Sequence, residues 1–458
     1  MNQPPWAQPD LNIDRCVELH TEILRLGWQG MGRDPQNFET KNWFDTYGTE
    51  ADKMRKYLSK ELVAYLERAG VSNDWSFHWY VYGLQHPDYI FFWDELFSWK
   101  GGYMDKKRYV VLYGANDISE HQVGLVFDQK TNTAIMCMDV DEAGAVTNGR
   151  LRWYPLDTVL EAWLDMIKKE KVKATKPHEM DLERFEPWVL VRYTDSGLNE
   201  TINTFNSLVE AIESRIPGFD IHAKDISYGL VDQTTLDAAN IMDGFGRQFL
   251  LRARRPRFLY IAPGLQTISS STFSHNPFLA VFNNLPISDK PQGRTPEDIP
   301  PLLLFFSTQS YTVADPNRAD RGPFYWPYQN MHIYPAGLYL PQHTFGLHRF
   351  DDECTLVLPF GIGGNGYART SDGALFGENK NEELPRAKDV HTSLYQPGHR
   401  PFGEMHGVVL RVVLESWLGM VERGDWKIGK EGVQGGMKTW KDADRSKTWE
   451  RYSIAPSW

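Results

Sequence analysis

Three short runs decide the fold: Arg108–Tyr113 (RYVVLY), Val123–Asp128 (VGLVFD) and Ala134–Val140 (AIMCMDV). Each is rich in β-branched and apolar residues. Each is set off from the next by a turn signal, GAND and then DQKTNT, so the three read as consecutive strands. A further turn covers Asp141 to Gly149. Beyond it, Leu156, Val159, Leu160, Trp163, Leu164 and Ile167 fall on one face of a helix over 156–169. Upstream, 14–29 and 50–69 read as helices. In the second, Met54, Tyr57, Leu58, Leu62, Tyr65 and Leu66 recur at helical spacing, and Gly70 closes it as a C-terminal cap would. The first third is thus a helix–strands–helix unit.

The next stretch, KKEKVKATKPHEMDLERFEP (168–187), is charged and proline-bounded, and it reads as a linker. It divides the chain into an N-terminal α/β domain (1–175) and a C-terminal β-rich domain with helices (186–458). The pattern predicts a strand at Trp188–Tyr193, a helix at Glu200–Ile216 and a strand at Phe258–Ala262. NNLPISDKPQGRTPEDIPP (283–301) is a long loop or a further boundary. From 302 the runs LLLFFS, HIYPAGLYL and TLVLPFG are β-type, and a helix follows at 406–423. The fold class expected is α+β, with the helix–sheet–helix part packed on a larger β-rich part with peripheral helices. One internal similarity crosses the two parts. VLEAWLDMIKKEKV (159–172) and VLESWLGMVERGDW (413–426) share VLE-x-WL-x-M in register. Two amphipathic helices with the same packing need account for it, an old duplication being the alternative.

Composition bounds the function. The 458 residues exceed one ordinary core, and with 41% apolar and 24% charged residues they have ordinary globular content. The net charge of −11 argues against coating nucleic acid or an anionic membrane with the whole surface. Cys16, Cys137 and Cys354 are far apart and form no CxxC pair, so a disulfide framework or thiolate zinc site is not expected, and a reducing, cytoplasmic location fits. The N-terminal MNQPPWAQPDLNIDRC lacks the charge and apolar order of a signal peptide. The most apolar run, HGVVLRVVLESWLGMV, is interrupted by Arg411 and Glu415 and does not read as a membrane span.

Several clusters carry chemistry. Arg247, Arg252, Arg254, Arg255 and Arg257 form a local positive patch suited to phosphates, or else a solvated face paired with surplus acids. PFGIGGNGY follows a strand as a phosphate cradle does, but no helix follows it, and a flexible turn is the expected form. Ser269, Ser270 and Ser271 lie near His275. A serine nucleophile needs such a base, whereas loop capping is the structural alternative; there is no GxSxG elbow. Asp351, Asp352 and Glu353, near His332, His343 and His348, could bind a guanidinium or an amine, supply a buried acid or base, or form an exposed turn. Their spacing matches no metal motif. Asp139, Asp141 and Glu142 close a strand and fit an Asx role. No P-loop and no cofactor signature is present.

The C-terminal elements GDWKIG, EGVQGGMKTWKDAD and WERY, within about the last fifty residues, resemble a tail of filamentous-fungal proteins associated with the arginine-containing cyclodipeptide synthases. That resemblance implies an aminoacyl transferase of secondary metabolism. It would join arginine from arginyl-tRNA to a second aminoacyl-tRNA and close a diketopiperazine. In that setting the arginine row would take tRNA phosphates and the acidic triplet the arginyl side chain. Aminoacyl esters arrive activated, so no ATP motif is needed. The order helix, strands with CMDVD, then the WYPLDTVLEAWLDMI helix is similar to the SUKH superfamily, which implies a protein-binding scaffold without catalysis. A hydrolase or metal-dependent enzyme using residues 343–353 is the third expectation.

Overall fold

The computed structural model describes residues 10–458 except 73, 101–102, 105, 117–120, 148–150, 177–184, 221–225, 288–292, 314–322, 343–349, 377–390, 404–406 and 457. The three runs form the centre of an antiparallel meander, in the order Val81–Leu84, Tyr109–Ala115, Gln122–Asp128, Thr133–Asp139 and Tyr154–Pro155. Its central strands are buried on both faces, which is why they read as continuous apolar runs rather than alternating ones. Val110 and Leu112 face the main N-terminal core, while Tyr109 and Val111 face a smaller cluster with Phe97 and Val146. Gly124 has φ +138°, and a Cβ there would meet the Tyr113 carbonyl oxygen at 1.9 Å, so only glycine lets these two strands approach. The helices Ile13–Gly30 and Leu156–Lys168 pack together on the main-core face.

The second body has a nine-stranded sheet. Its path runs His391–Leu394, Glu353–Ile362, Ile333–Leu340, Leu302–Thr312, Leu265–Thr267, Tyr260–Ala262, Gly432–Val433 and Ile428–Gly429, with Val408–Val409 paired to the second of these. All pairings are antiparallel except Tyr260 with Gly432. The helices Asp195–Glu213 and Leu410–Glu422 pack on one another over this core. The chain is therefore α+β, with the helix–sheet–helix part beside a larger β-rich part.

The shared VLE-x-WL-x-M motif extends further in space than in sequence. Leu156–Lys168 and Leu410–Glu422 start at equivalent residues and bury equivalent ones: Leu156 and Leu410, Val159 and Val413, Leu160 and Leu414, Trp163 and Trp417, Met166 and Met420. Each follows a two-residue strand, Tyr154–Pro155 or Val408–Val409, that pairs with a longer strand of its own body. Each lies against the long helix that opens its body. Both halves thus set a return helix, entered from a short strand, against a long helix, while the second sheet differs in holding a parallel pair and two strands that follow its return helix. The match is one of tertiary role as well as local packing need.

Three local readings are corrected. The helix read over 50–69 is broken: Thr49–Met54 runs into a 3-10 turn, Leu58 is extended, and Ser59 caps a new helix, Lys60–Leu66. Gly70 is not its cap; it bridges Asn42, and a Cβ there would lie 2.2 Å from the Thr40 hydroxyl. Within the stretch read as a linker, Val172–Ala174 is a strand that pairs with Trp188–Leu190 just beyond it, and residues 177–184 lie outside the described residues.

Candidate functional site

A cleft of about 650 Å³ lies where the two bodies meet. One wall is the end of the first return helix, Lys168–Lys171. A second is the start of the other return helix, with Val409, Arg411 and Val412. The third is Val191, Tyr193 and the N-terminus of the long helix Asp195–Glu213. Thr194 caps that helix by accepting the Gly197 N–H at 3.1 Å.

In the cleft wall lies a buried ion pair. The Lys171 Nζ donates to both carboxylate oxygens of Asp352 at 2.8 Å and to the Arg192 carbonyl at 3.3 Å, which uses all three ammonium protons. The Phe350 ring lies 4.7 Å from the same nitrogen. Trp458 stands at the rim, donating its indole N–H to Asp165 at 2.8 Å with Lys169 over its ring. Arg411 pairs with Glu415 at 2.5 Å and Glu200 at 3.7 Å. The lining balances Lys168, Lys169, Lys171 and Arg411 against Glu170, Asp195, Glu200 and Asp352. A cleft of this kind suits a dipolar or zwitterionic ligand better than a strongly charged one.

The acidic triplet does not make one pocket. Successive residues entering a strand point in different directions, and these three line three cavities. Asp352 lies in the cleft. Asp351 borders a space of about 20 Å³ beside Gly246, Leu302 and Leu340, room for about one water molecule. Glu353 borders a cavity of about 140 Å³ with Gln342, Tyr395 and Arg400. Burial raises the Asp351 carboxyl to about 6, against the opposing pull of Arg192. Its partner among backbone groups is the N–H of Phe245, at the start of helix Phe245–Arg252. His343 and His348 lie outside the described residues, and His332 is exposed.

The serine cluster is a helix cap. Ser269 Oγ accepts the Thr272 N–H at 3.4 Å, and the Thr272 hydroxyl accepts the Ser269 N–H at 2.8 Å. Ser270 Oγ accepts the Asp232 N–H at 3.0 Å, and Ser271 shares a hydroxyl contact with Ser269 at 3.1 Å. His275 donates Nδ1–H to the Ser271 carbonyl at 2.6 Å, so it is turned to the backbone rather than to a nucleophile.

The arginine row is occupied from within. Arg254 pairs with Glu210 at 2.9 Å and with buried Glu213, which Arg257 also reaches at 3.4 Å. Arg247 is held by Asp237 and the Ile241 carbonyl, Arg252 by Asn199, and Arg255 by the Gly229 carbonyl. The alternative stated for this row, pairing with surplus acids, is the one observed for Arg247, Arg254 and Arg257. Asp139 and Glu142 serve the strand end, accepting the N–H groups of Asp141 and Met138 at 2.9 Å.

The glycine turn does gather backbone N–H groups around an anion, as a phosphate cradle would, but the anion is the protein's own. The Asp444 carboxylate accepts from Gly363 at 3.1 Å, Asn365 at 2.8 Å, Tyr367 at 2.8 Å and Ala368 at 2.9 Å. These bonds hold its pKa below the usual carboxylate value in spite of burial. The other elements of the tail, Trp426, Met437, Trp440 and Tyr452, are buried in the second core around Trp417.

Sequence reasoning missed Lys171, Tyr193, Arg411 and Trp458. Lys171 was hidden in a charged run; its one signal was Val172 beside it, an apolar residue where a linker needs none. No family model matches the chain, and no curated protein and no solved structure was found similar to it. What the fold defines is an α+β protein with sheets and peripheral helices. Among the described residues no helix is long and apolar enough to cross a membrane.

Proposed function

We propose that this chain is a protein-interaction scaffold of the SUKH-like kind, carrying two modules of related plan. The observation that carries this reading is the repeated plan itself. The order that gives the N-terminal third its likeness to that superfamily recurs in the second body, down to the buried tryptophan of the return helix. The hydroxyls of Ser269, Ser270 and Ser271 bond within the chain, and the arginines at 247–257 have partners within it, which supports a non-catalytic reading. On this reading the chain forms a stoichiometric complex with a protein partner and turns over no substrate.

A second reading has its own observation. The balanced cleft at Lys171 and Asp352 is large enough for an aminoacyl group, which supports the arginine-containing cyclodipeptide synthase reading drawn from the tail. There the mixed charges would orient the ammonium of an aminoacyl ester. One experiment separates the two. The purified chain is incubated with tRNA, the twenty amino acids and their charging enzymes, and the mixture is analysed by mass spectrometry. A cyclic dipeptide containing arginine would establish the synthase. No product from folded protein, together with a defined complex recovered from native cytosol and rebuilt from purified parts, is what the scaffold reading expects.

A further inference from the structure

The first module carries a row of exposed aromatic rings. Tyr82, Tyr89 and Phe92 are 56%, 55% and 60% exposed. Tyr47 meets His86 at 4.8 Å, His86 meets Tyr89 at 6.2 Å and Tyr89 meets Phe92 at 5.8 Å, and Tyr57 and Phe91 form a further pair at 6.3 Å. Large apolar groups gathered this way on a surface mark an interaction site more often than rings scattered singly.

The surroundings say what would cover it. Two carboxylates, Glu50 and Asp88, flank His86 at 3.5 and 3.7 Å, at the end of the row that holds Tyr89. The further pair already holds a cation of the chain itself. The Lys107 ammonium lies 3.6 Å from the Tyr57 ring and 4.7 Å from Phe91. Among the described residues no cation stands over Tyr82, Tyr89 or Phe92. Aromatic faces beside carboxylates attract guanidinium and ammonium groups by ring quadrupole and charge together.

We infer that this face docks a basic, arginine-bearing segment of a partner protein, whose cations stack on Tyr89 and Phe92 and pair with Glu50 and Asp88. The inference rests on the scaffold reading and adds the chemistry of the partner and the face it meets. An arginine fork serves both groups at once, whereas a lysine offers a point charge.

The test uses the full chain and a fluorescent nonaarginine peptide, read by anisotropy at physiological salt, with nonalysine for comparison. Nonaarginine should bind more tightly than nonalysine. Tyr89→Ala/Phe92→Ala and, separately, Glu50→Gln/Asp88→Asn should each weaken binding about tenfold. Because the substituted side chains are exposed or part-exposed, unfolding midpoints should not move. Glu422→Gln/Glu431→Gln, two exposed acids of the other body, should leave binding within twofold. Absence of binding would overturn the inference, and equal loss from the remote pair would overturn it by showing attraction to net charge alone. A chain that forms its complex but ignores the peptide keeps the scaffold reading and loses this face. A chain that yields a cyclic dipeptide loses the reading itself.

Discussion

Replacing Lys171 by Met separates the cost of an unpaired buried charge from the worth of the pair. The two side chains are only 5% and 9% exposed, and the ammonium meets both carboxylate oxygens at 2.8 Å. Lys171→Met keeps most of the side-chain volume but leaves the Asp352 carboxylate buried without its cation, which should cost about 3–5 kcal/mol at pH 7. Adding Asp352→Leu removes the orphan. The double variant should recover most of that loss, since replacing a buried pair by apolar residues is often neutral or better. Urea unfolding followed by tryptophan fluorescence at pH 7 measures the parent and both variants. A single variant costing under about 1 kcal/mol, or a double variant no better than the single, would refute the argument from burial.

Other outcomes follow from the same physics. His20 and His78 are buried and neutral, with pKa values lowered to about 4 and about 3 by desolvation. Protons therefore favour the unfolded chain, and between about pH 6.5 and pH 5 each should remove about 2 kcal/mol from the first body, seen as acid unfolding near pH 5 that His20→Gln flattens. Asp351 works in the opposite sense. Its pKa is raised to about 6, so its ionisation opposes folding as pH rises from about 4, and Asp351→Asn should stabilise the chain at pH 7 by about 2 kcal/mol once partial solvent screening is allowed for. Asp444→Asn leaves one side-chain acceptor for four N–H donors and should cost about 2–4 kcal/mol, measured by urea midpoint and by faster amide exchange at 363–368.

The strands at 109–139 were legible because both of their faces are buried and their turns are strongly signalled. The return helices were legible because 3.6-residue periodicity survives in one chain. The break at Leu58–Ser59 was not, since its apolar spacing continues across the kink and only the Ser59 cap marks it. Nor was the fate of the charged clusters. Whether Arg254 meets phosphate or Glu213, and whether Asp444 or a ligand fills the glycine turn, depends on residues about 40 to 80 positions away. Local sequence shows the donors; the partner is chosen by topology. The acidic triplet is a simpler case: Asp351 and Asp352 stand in the turn before the strand Glu353–Ile362, so neighbours in sequence border different cavities.

The parallel pairing of Tyr260 with Gly432, and the Asp444 carboxylate inside a turn made much earlier, also order events during synthesis. The first body can gather most of its core once residue 190 has emerged, with Phe402 joining it only later, and domains commonly fold in that order. The second cannot close its sheet or neutralise its glycine turn until residues 428–444 are free. Its half-built sheet must wait with an unpaired edge beside Tyr260–Ala262, which makes that interval the time when a nascent chain most needs a chaperone.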